Sequence, residues 1–310
     1  MRLGVLDIGS NTVHLLVVDA HVGAAPVPAL SQKTEVRLAE RLDLSGAISD
    51  EGGQLLYDAL VLARATAREH GVDDLVAFAT SAVREATNGN EVLARAAEAA
   101  GVDVQVLPGE DEAKLTFLAV RRWYGWSSGR LLVLDIGGGS LELAIGGDED
   151  PSYSVSVPLG AGRVTRDYLH ADPPKRSELA ELRAYARATL RPIATRLAEE
   201  GEPDRVVATS KTFRTLARLA GSAPARQGPM VRRSLTHGQL AGVLHSVGRM
   251  SAAQRAELDG VSTSRARQIV GGAVVADVAM ETCGVGKVEI CPWALREGVI
   301  LRRLDWLTHT

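Results

Sequence analysis

The sequence predicts an α/β protein in which one strand-rich motif is used twice. Three observations carry that prediction. Val5-Leu6-Asp7-Ile8-Gly9 returns unchanged as Val133-Leu134-Asp135-Ile136-Gly137. Each copy opens a run of strand-like segments, and each run gives way to alternating helices and strands, the pattern of an α/β fold. The shared register continues past the glycine, with Thr12 against Ser140, Val13 against Leu141, His14 against Glu142 and Leu15 against Leu143. At 310 residues the chain holds about two domains of average size. The strand pattern restarts at Arg130, which sets the expected domains at 1–125 and 126–310, with a C-terminal helix from about 293 packing back on the first.

Taken in order, Arg2–Ile8 is followed by a glycine turn and then Thr12–Asp19, which reads as a hairpin. A third strand is expected within Lys33–Leu42. From Asp50 to His70 the apolar residues recur at helical spacing, with Asp50 as the expected N-cap. Leu75–Ala79 reads as a short buried strand, Glu91–Ala100 as a helix and Val102–Leu107 as a strand. Gly109–Trp123 reads as a helix with Leu115, Leu118 and Ala119 on its apolar side. The second copy gives strands at Leu131–Ile136, Ser140–Gly146 and Tyr153–Pro158. Long helices over Ser177–Glu200 and Thr263–Cys283, and strands at Arg205–Ala208 and Lys287–Ile290, complete it.

The composition, 45% apolar and 24% charged, is that of a soluble globular protein. No uncharged apolar stretch approaches the ~18–20 residues a membrane span needs, and no signal-peptide pattern follows Met1. The two cysteines, Cys283 and Cys291, have no metal-binding spacing and make a poor disulfide scaffold. A cytoplasmic protein without a membrane partner is therefore expected. A net charge of −3 argues against a protein that binds nucleic acid through bulk charge. Local clusters such as Arg163/Arg166 and Lys211/Arg214/Arg218 read first as solvated surface arginines and lysines.

The chemistry is carried by the two glycine loops. In Asp7-Ile-Gly-Ser-Asn-Thr12, Gly9 permits a sharp turn, and Ser10, Asn11 and Thr12 can converge on one anion. Gly137, Gly138, Gly139 and Ser140 repeat the device with a backbone that can approach a ligand more closely. An ordinary hairpin turn explains either loop alone, whereas two facing loops would grip successive phosphates. Asp7 and Asp135 would repel phosphate, so their sensible role is to hold a divalent metal, with Glu142 joining Asp135. Walker-type, dinucleotide-binding and nucleophile-elbow motifs are absent from the sequence.

These paired loops resemble the sugar kinase–actin superfamily, and nearly the whole chain resembles the exopolyphosphatase and guanosine pentaphosphate phosphohydrolase family. The narrower match rests on Asp7–His14, Ala79-Thr-Ser-Ala-Val-Arg-Glu-Ala86, Leu107-Pro-Gly-Glu-Asp-Glu-Ala113, Asp135–Glu142 and Trp293-Ala-Leu-Arg-Glu-Gly298. The resemblance implies two actin-like (ribonuclease H-like) domains with an interdomain active-site cleft. It implies that Glu112 is the general base acting on water, that Arg84 clamps phosphate, and that Asp135, Ser140 and Glu142 serve metal or phosphate. Without it, Glu110, Asp111 and Glu112 read as acidic residues favoured by a helix N-terminus, and Arg84 as a surface arginine. The implied activity is magnesium- or manganese-dependent release of the terminal phosphate of inorganic polyphosphate by a homodimer.

Three alternatives stand beside it: a guanosine pentaphosphate 5′-phosphohydrolase, a superfamily kinase, and a non-catalytic polyphosphate sensor. Related exopolyphosphatases often carry threonine where Leu141 stands. At the third, nucleoside-side motif, Val207-Ala-Thr-Ser-Lys-Thr212 lacks the usual glycine, and Lys211 there suits a bare polyanion better than a purine. His14 reads as a packed or hydrogen-bonded histidine.

Overall fold

Period-two alternation places successive residues of a strand on opposite faces, and the first repeat buries both. In the computed structural model, which describes residues 1–308 except Val22, Ala24 and Leu44, β1 (Arg2–Ile8) pairs antiparallel with β2 (Thr12–Asp19). Leu6 and Ile8 pack with Val13, Leu15 and Val17 against Leu56 and Leu60 of α1 (Asp50–Glu69). On the other face, Leu3 and Val5 pack with Leu16 and Val18 against Val299 and Ile300 of the C-terminal helix (Leu295–Thr308). The sheet is completed by β3 (Pro28–Glu35) beyond β2, and by β4 (Asp74–Ala79) and β5 (Val104–Val106), both parallel to β1, in the order β3-β2-β1-β4-β5. Short α2 (Ser81–Arg84), α3 (Gly89–Ala100) and α4 (Gly109–Tyr124) connect and follow these strands.

The second repeat builds the same arrangement. Strands β6 (Leu131–Ile136), β7 (Leu141–Gly146) and β8 (Tyr153–Val157) form an antiparallel meander, and β9 (Arg205–Thr209) lies parallel beside β6. After α5 (Ala161–Tyr168), α6 (Arg176–Glu199) and α7 (Ser210–Leu219) come β10 (Ser234–Thr236), α8 (His237–Val247), α9 (Ala252–Ala256), α10 (Ile269–Thr282) and β11 (Lys287–Ile290). The sheet order is β8-β7-β6-β9-β11-β10. Every residue of α10 from Ile269 to Met280 is buried, so it is a core helix, apolar on all sides except at Asp277. The C-terminal helix, α11, follows β11.

The chain divides into two units, Met1–Thr116 together with the segment from Leu295, and Phe117–Ala294. The division falls inside α4. His309 and Thr310, included in the expected second domain, lie outside the described residues. Among the described residues, no helix is long and apolar enough to cross a membrane.

Most segment boundaries lie within a few residues of expectation, and three differ for physical reasons. The third strand is Pro28–Glu35, earlier than Lys33–Leu42, because its outward positions are polar and exposed. Val36 and Leu38, within the expected segment, are buried at a turn where Val36 N and Arg37 N both donate to the Asn11 carbonyl. Ser49, not Asp50, caps α1, its side chain accepting from Gly52 N. The helix expected from Thr263 begins at Ile269, after a single 3₁₀ turn at Thr263–Arg265.

Candidate active site

The two glycine loops close with one geometry. Gly9 N donates to the Thr12 carbonyl at 3.0 Å, and Gly137 N to the Ser140 carbonyl at 2.9 Å. Asp7 stands opposite His14 across the first hairpin, and Asp135 opposite Glu142 across the second. The alignment of the repeat therefore holds residue by residue.

In the first unit, Ser10 Oγ and Ser81 Oγ share a hydrogen bond at 3.3 Å, joining the loop to α2. Arg84, the last residue of α2, donates from Nη1 to the Leu107 carbonyl at 2.7 Å and pairs with the buried carboxylate of Glu112. Glu112 lies in the first turn of α4, its amide bonded to Pro108 O at 3.0 Å. A carboxylate in the first helical turn is favoured by the helix dipole. The structure adds a guanidinium that fixes its direction.

Asp7 has a partner the sequence reading did not foresee. Arg296 Nη1, 289 residues away, pairs with Asp7 Oδ2 at 3.0 Å. Burial pushes the Asp7 carboxyl up from its ordinary value, against the lowering pull of Arg296. His14 is buried and hydrogen-bonded to Ser31 Oγ at 2.8 Å. Burial, reinforced by Arg296 and Lys33, lowers its pKa to about 3, so it stays neutral. Gly298 of the same C-terminal motif lies where an added Cβ would meet the Leu115 carbonyl at 1.9 Å. That close approach seats α11.

In the second unit the glycine loop is braced by the start of α5. Ala161 N donates to Gly137 O at 2.9 Å, Gly162 N and Arg163 N to Gly138 O at 2.8 and 3.0 Å, and Arg163 Nε to Gly139 O at 3.1 Å. An added Cβ on Gly160 would lie 2.2 Å from the Gly139 carbonyl carbon, so only glycine fits. The loop's carbonyls are thus turned toward α5, while the amides of Gly138, Gly139 and Ser140 take no hydrogen-bond acceptor among the described residues. Successive backbone amides of this kind make a concave anion nest. Glu142 accepts from Ser156 Oγ at 2.8 Å.

Lys211, the second residue of α7, lines a small recess with Arg265, Gln268 and Ala161, next to the loop-bracing residues. The sequence reading singled out neither Arg265 nor Gln268. It also passed over a repeat in plain view: Ala79-Thr80-Ser81 and Ala208-Thr209-Ser210 both lead a strand into a helix. Thr80 and Thr209 share nearly the same backbone (φ −113°, ψ −155° and φ −127°, ψ −162°). Their register against the central strand is not the same, since Asp7 faces Phe78 whereas Asp135 faces Thr209.

For a divalent cation, the suitable donors are Asp135 and Glu142, directly opposite on neighbouring strands and hence on one face of the sheet. Magnesium is commonly held by one or two carboxylates with water and substrate phosphate completing the shell, and this pair fits that mode. Asp7, engaged by Arg296, is a poorer ligand. Among the described residues no three His, Cys, Asp or Glu side chains form a metal cluster.

The profile of the Ppx/GppA phosphatase family matches residues 17–307. The chain belongs to that family. The Ppx/GppA relatives include exopolyphosphatase 1 of Mycobacterium tuberculosis (strain H37Rv), 55% identical over 305 residues, covering 98% of this chain and 89% of that protein. Among solved structures, a Cytophaga hutchinsonii exopolyphosphatase is 25% identical with a TM-score of 0.89, covering 99% of this chain and 98% of that one. The Aquifex aeolicus Ppx/GppA family member superposes with a TM-score of 0.81 at 24% identity, covering 100% and 99%, a likeness of fold alone. The expected class of two actin-like α/β domains is that of these Ppx/GppA structures.

Proposed function

We infer that this chain is an exopolyphosphatase, releasing orthophosphate from the end of inorganic polyphosphate by hydrolysis of the terminal phosphoanhydride. The observation that carries the reading is the pairing of buried Glu112 with partly exposed Arg84, on the helix that Ser81 ties to a phosphate-type glycine loop, in a family member this close to a curated exopolyphosphatase.

Phosphoanhydride cleavage has a loose transition state, so positioning and charge neutralisation do most of the work. The chain supplies both. Arg84 uses Nη1 on Leu107 and Glu112 and has further N–H donors for phosphate oxygens. Held in place by that guanidinium, Glu112 accepts the proton of the attacking water. The Gly138–Ser140 amides, Lys211, and Ser10, Asn11 and Thr12 of the first loop donate hydrogen bonds to the phosphate oxygens. Magnesium or manganese, held by Asp135 and Glu142, would neutralise phosphate charge. The homodimer expected from the resemblance and the cytoplasmic location expected from the sequence composition belong to the same proposal.

The test is phosphate release, measured side by side on short polyphosphate, long polyphosphate, guanosine pentaphosphate and ATP with magnesium. Polyphosphate is the expected preference, and Glu112→Gln is expected to lose at least ~10²-fold in turnover with substrate binding kept, the usual scale of a general base. Near-normal turnover in that variant refutes the role of Glu112. Preference for guanosine pentaphosphate moves the substrate assignment to the nucleotide, with the same site.

A further inference from the structure

A second concave site lies wholly within the second unit, between α6 and α8 with α10 as its floor. Its volume is about 740 Å³, within the range of pockets that enclose small organic ligands. None of the residues assigned above to hydrolysis lines it.

Its donors and acceptors are unequal. Asp277 is the one carboxylate among the lining residues, and both its oxygens are taken. Oδ2 accepts from Arg183 at 2.6 Å and Oδ1 is bonded to His237 Nε2 at 2.9 Å. Arg176, His245 and Arg249 also line the pocket, are exposed, and have no side-chain partner among the described residues. The pocket thus has two surplus guanidinium groups and a spent acceptor, which selects an anion rich in acceptor oxygens. The rest of the lining is apolar, with Leu179, Leu244 and Val274 among it. A bare, fully solvated polyanion gains nothing from such walls, whereas a ring does. The wall is also pre-formed. Asp172, next to Pro173 and Pro174 of the lining, accepts from Ala252 N at 2.8 Å and pairs with buried Arg255, which donates to Ala266 O at 2.9 Å.

We propose that this pocket binds a phosphorylated small molecule with an apolar ring, of the nucleoside phosphate class, with Arg176 and Arg249 on the phosphates and the ring against the apolar walls. The test is calorimetric titration of the intact protein with nucleoside mono-, di- and triphosphates, tripolyphosphate and inorganic phosphate, repeated on the double variant Arg176→Gln/Arg249→Gln. Both side chains are exposed, so the unliganded melting temperature stays unchanged, and polyphosphate turnover at saturating substrate stays at the wild-type rate. Expected is a nucleoside phosphate that binds the wild type and is weakened at least tenfold in the double variant, while tripolyphosphate binding is unaffected. Absence of nucleoside phosphate binding to the wild type overturns the proposal, as does an affinity unchanged in the double variant. Equal weakening of tripolyphosphate also overturns it, because the pocket would then recognise charge alone.

Discussion

Ser210 holds a φ of 80°, a backbone region that glycine enters freely and serine does not. It stands between Thr209 and the phosphate-binding candidate Lys211, in the Val207–Thr212 segment that contains no glycine. A non-glycine residue held there usually carries strain of about 1 kcal/mol or more. Ser210→Gly is expected to be as stable as the parent or up to about 1 kcal/mol more stable in urea unfolding, and Ser210→Val to be less stable. Stabilisation by valine would show that no such strain exists. His14 gives a second residue-level prediction. Unfolded, its imidazole protonates near pH 6.5, and folded, only at about 3. Between those values the unfolded state binds the extra proton, so acidification lowers stability, by up to about 1.4 kcal/mol per pH unit. Stability measured from pH 6 down to 4 should fall less steeply in His14→Asn than in the parent. An identical slope in the two proteins would exclude His14 as a contributor to the acid limb.

Among the elements, α5 matters less as a helix than as the brace of a loop. Gly160→Ala forces a methyl into the Gly139–Ser140 backbone and is expected to cost about 1–3 kcal/mol, the usual range for overpacking. It should also lower polyphosphate turnover by displacing the amide nest. Wild-type stability together with wild-type turnover would show that the loop yields without consequence. Elements of this kind were unevenly legible. The hairpins announced themselves through apolar alternation around a glycine, and β1, β2, β6 and β11 lie where the pattern put them. The outer strand β3 did not, because a strand with one exposed face and Pro28, Ser31, Gln32 and Lys33 in it looks like a loop. Arg163 and Arg265 were also hidden, since an arginine that braces a loop or lines a recess has the same local sequence as one on a solvated surface.

At the scale of the whole molecule, a C-terminal helix packing back on the first domain was expected from the sequence, but the contacts by which it closes the first unit were not. The Asp7–Arg296 pair and the packing of Val299 and Ile300 on Leu3 and Val5 have no sequence periodicity to betray them. The internal repeat, by contrast, was readable from five identical residues, and both sheets obey it. A variant ending at Ala294 should uncover that apolar face and leave the Asp7 carboxylate without its guanidinium. It is expected to lose at least ~3 kcal/mol, the scale of large core deletions and broken buried pairs, with the early step of denaturant unfolding assigned to the first unit. An unchanged unfolding midpoint would refute the dependence. The same closure reverses the order in which the protein can be finished during synthesis. Strands β1 to β5 leave the ribosome first, yet the Leu3 and Val5 face of their sheet lacks the cover of Val299 and Ile300 until α11 arrives. At ~5–20 residues per second that wait is roughly 10–35 s, the time needed to add Phe117–Ala294. The second unit, whose segments are contiguous, has everything it needs before then. The unit begun earlier is the unit completed later, and throughout that interval part of its apolar sheet face is exposed to solvent.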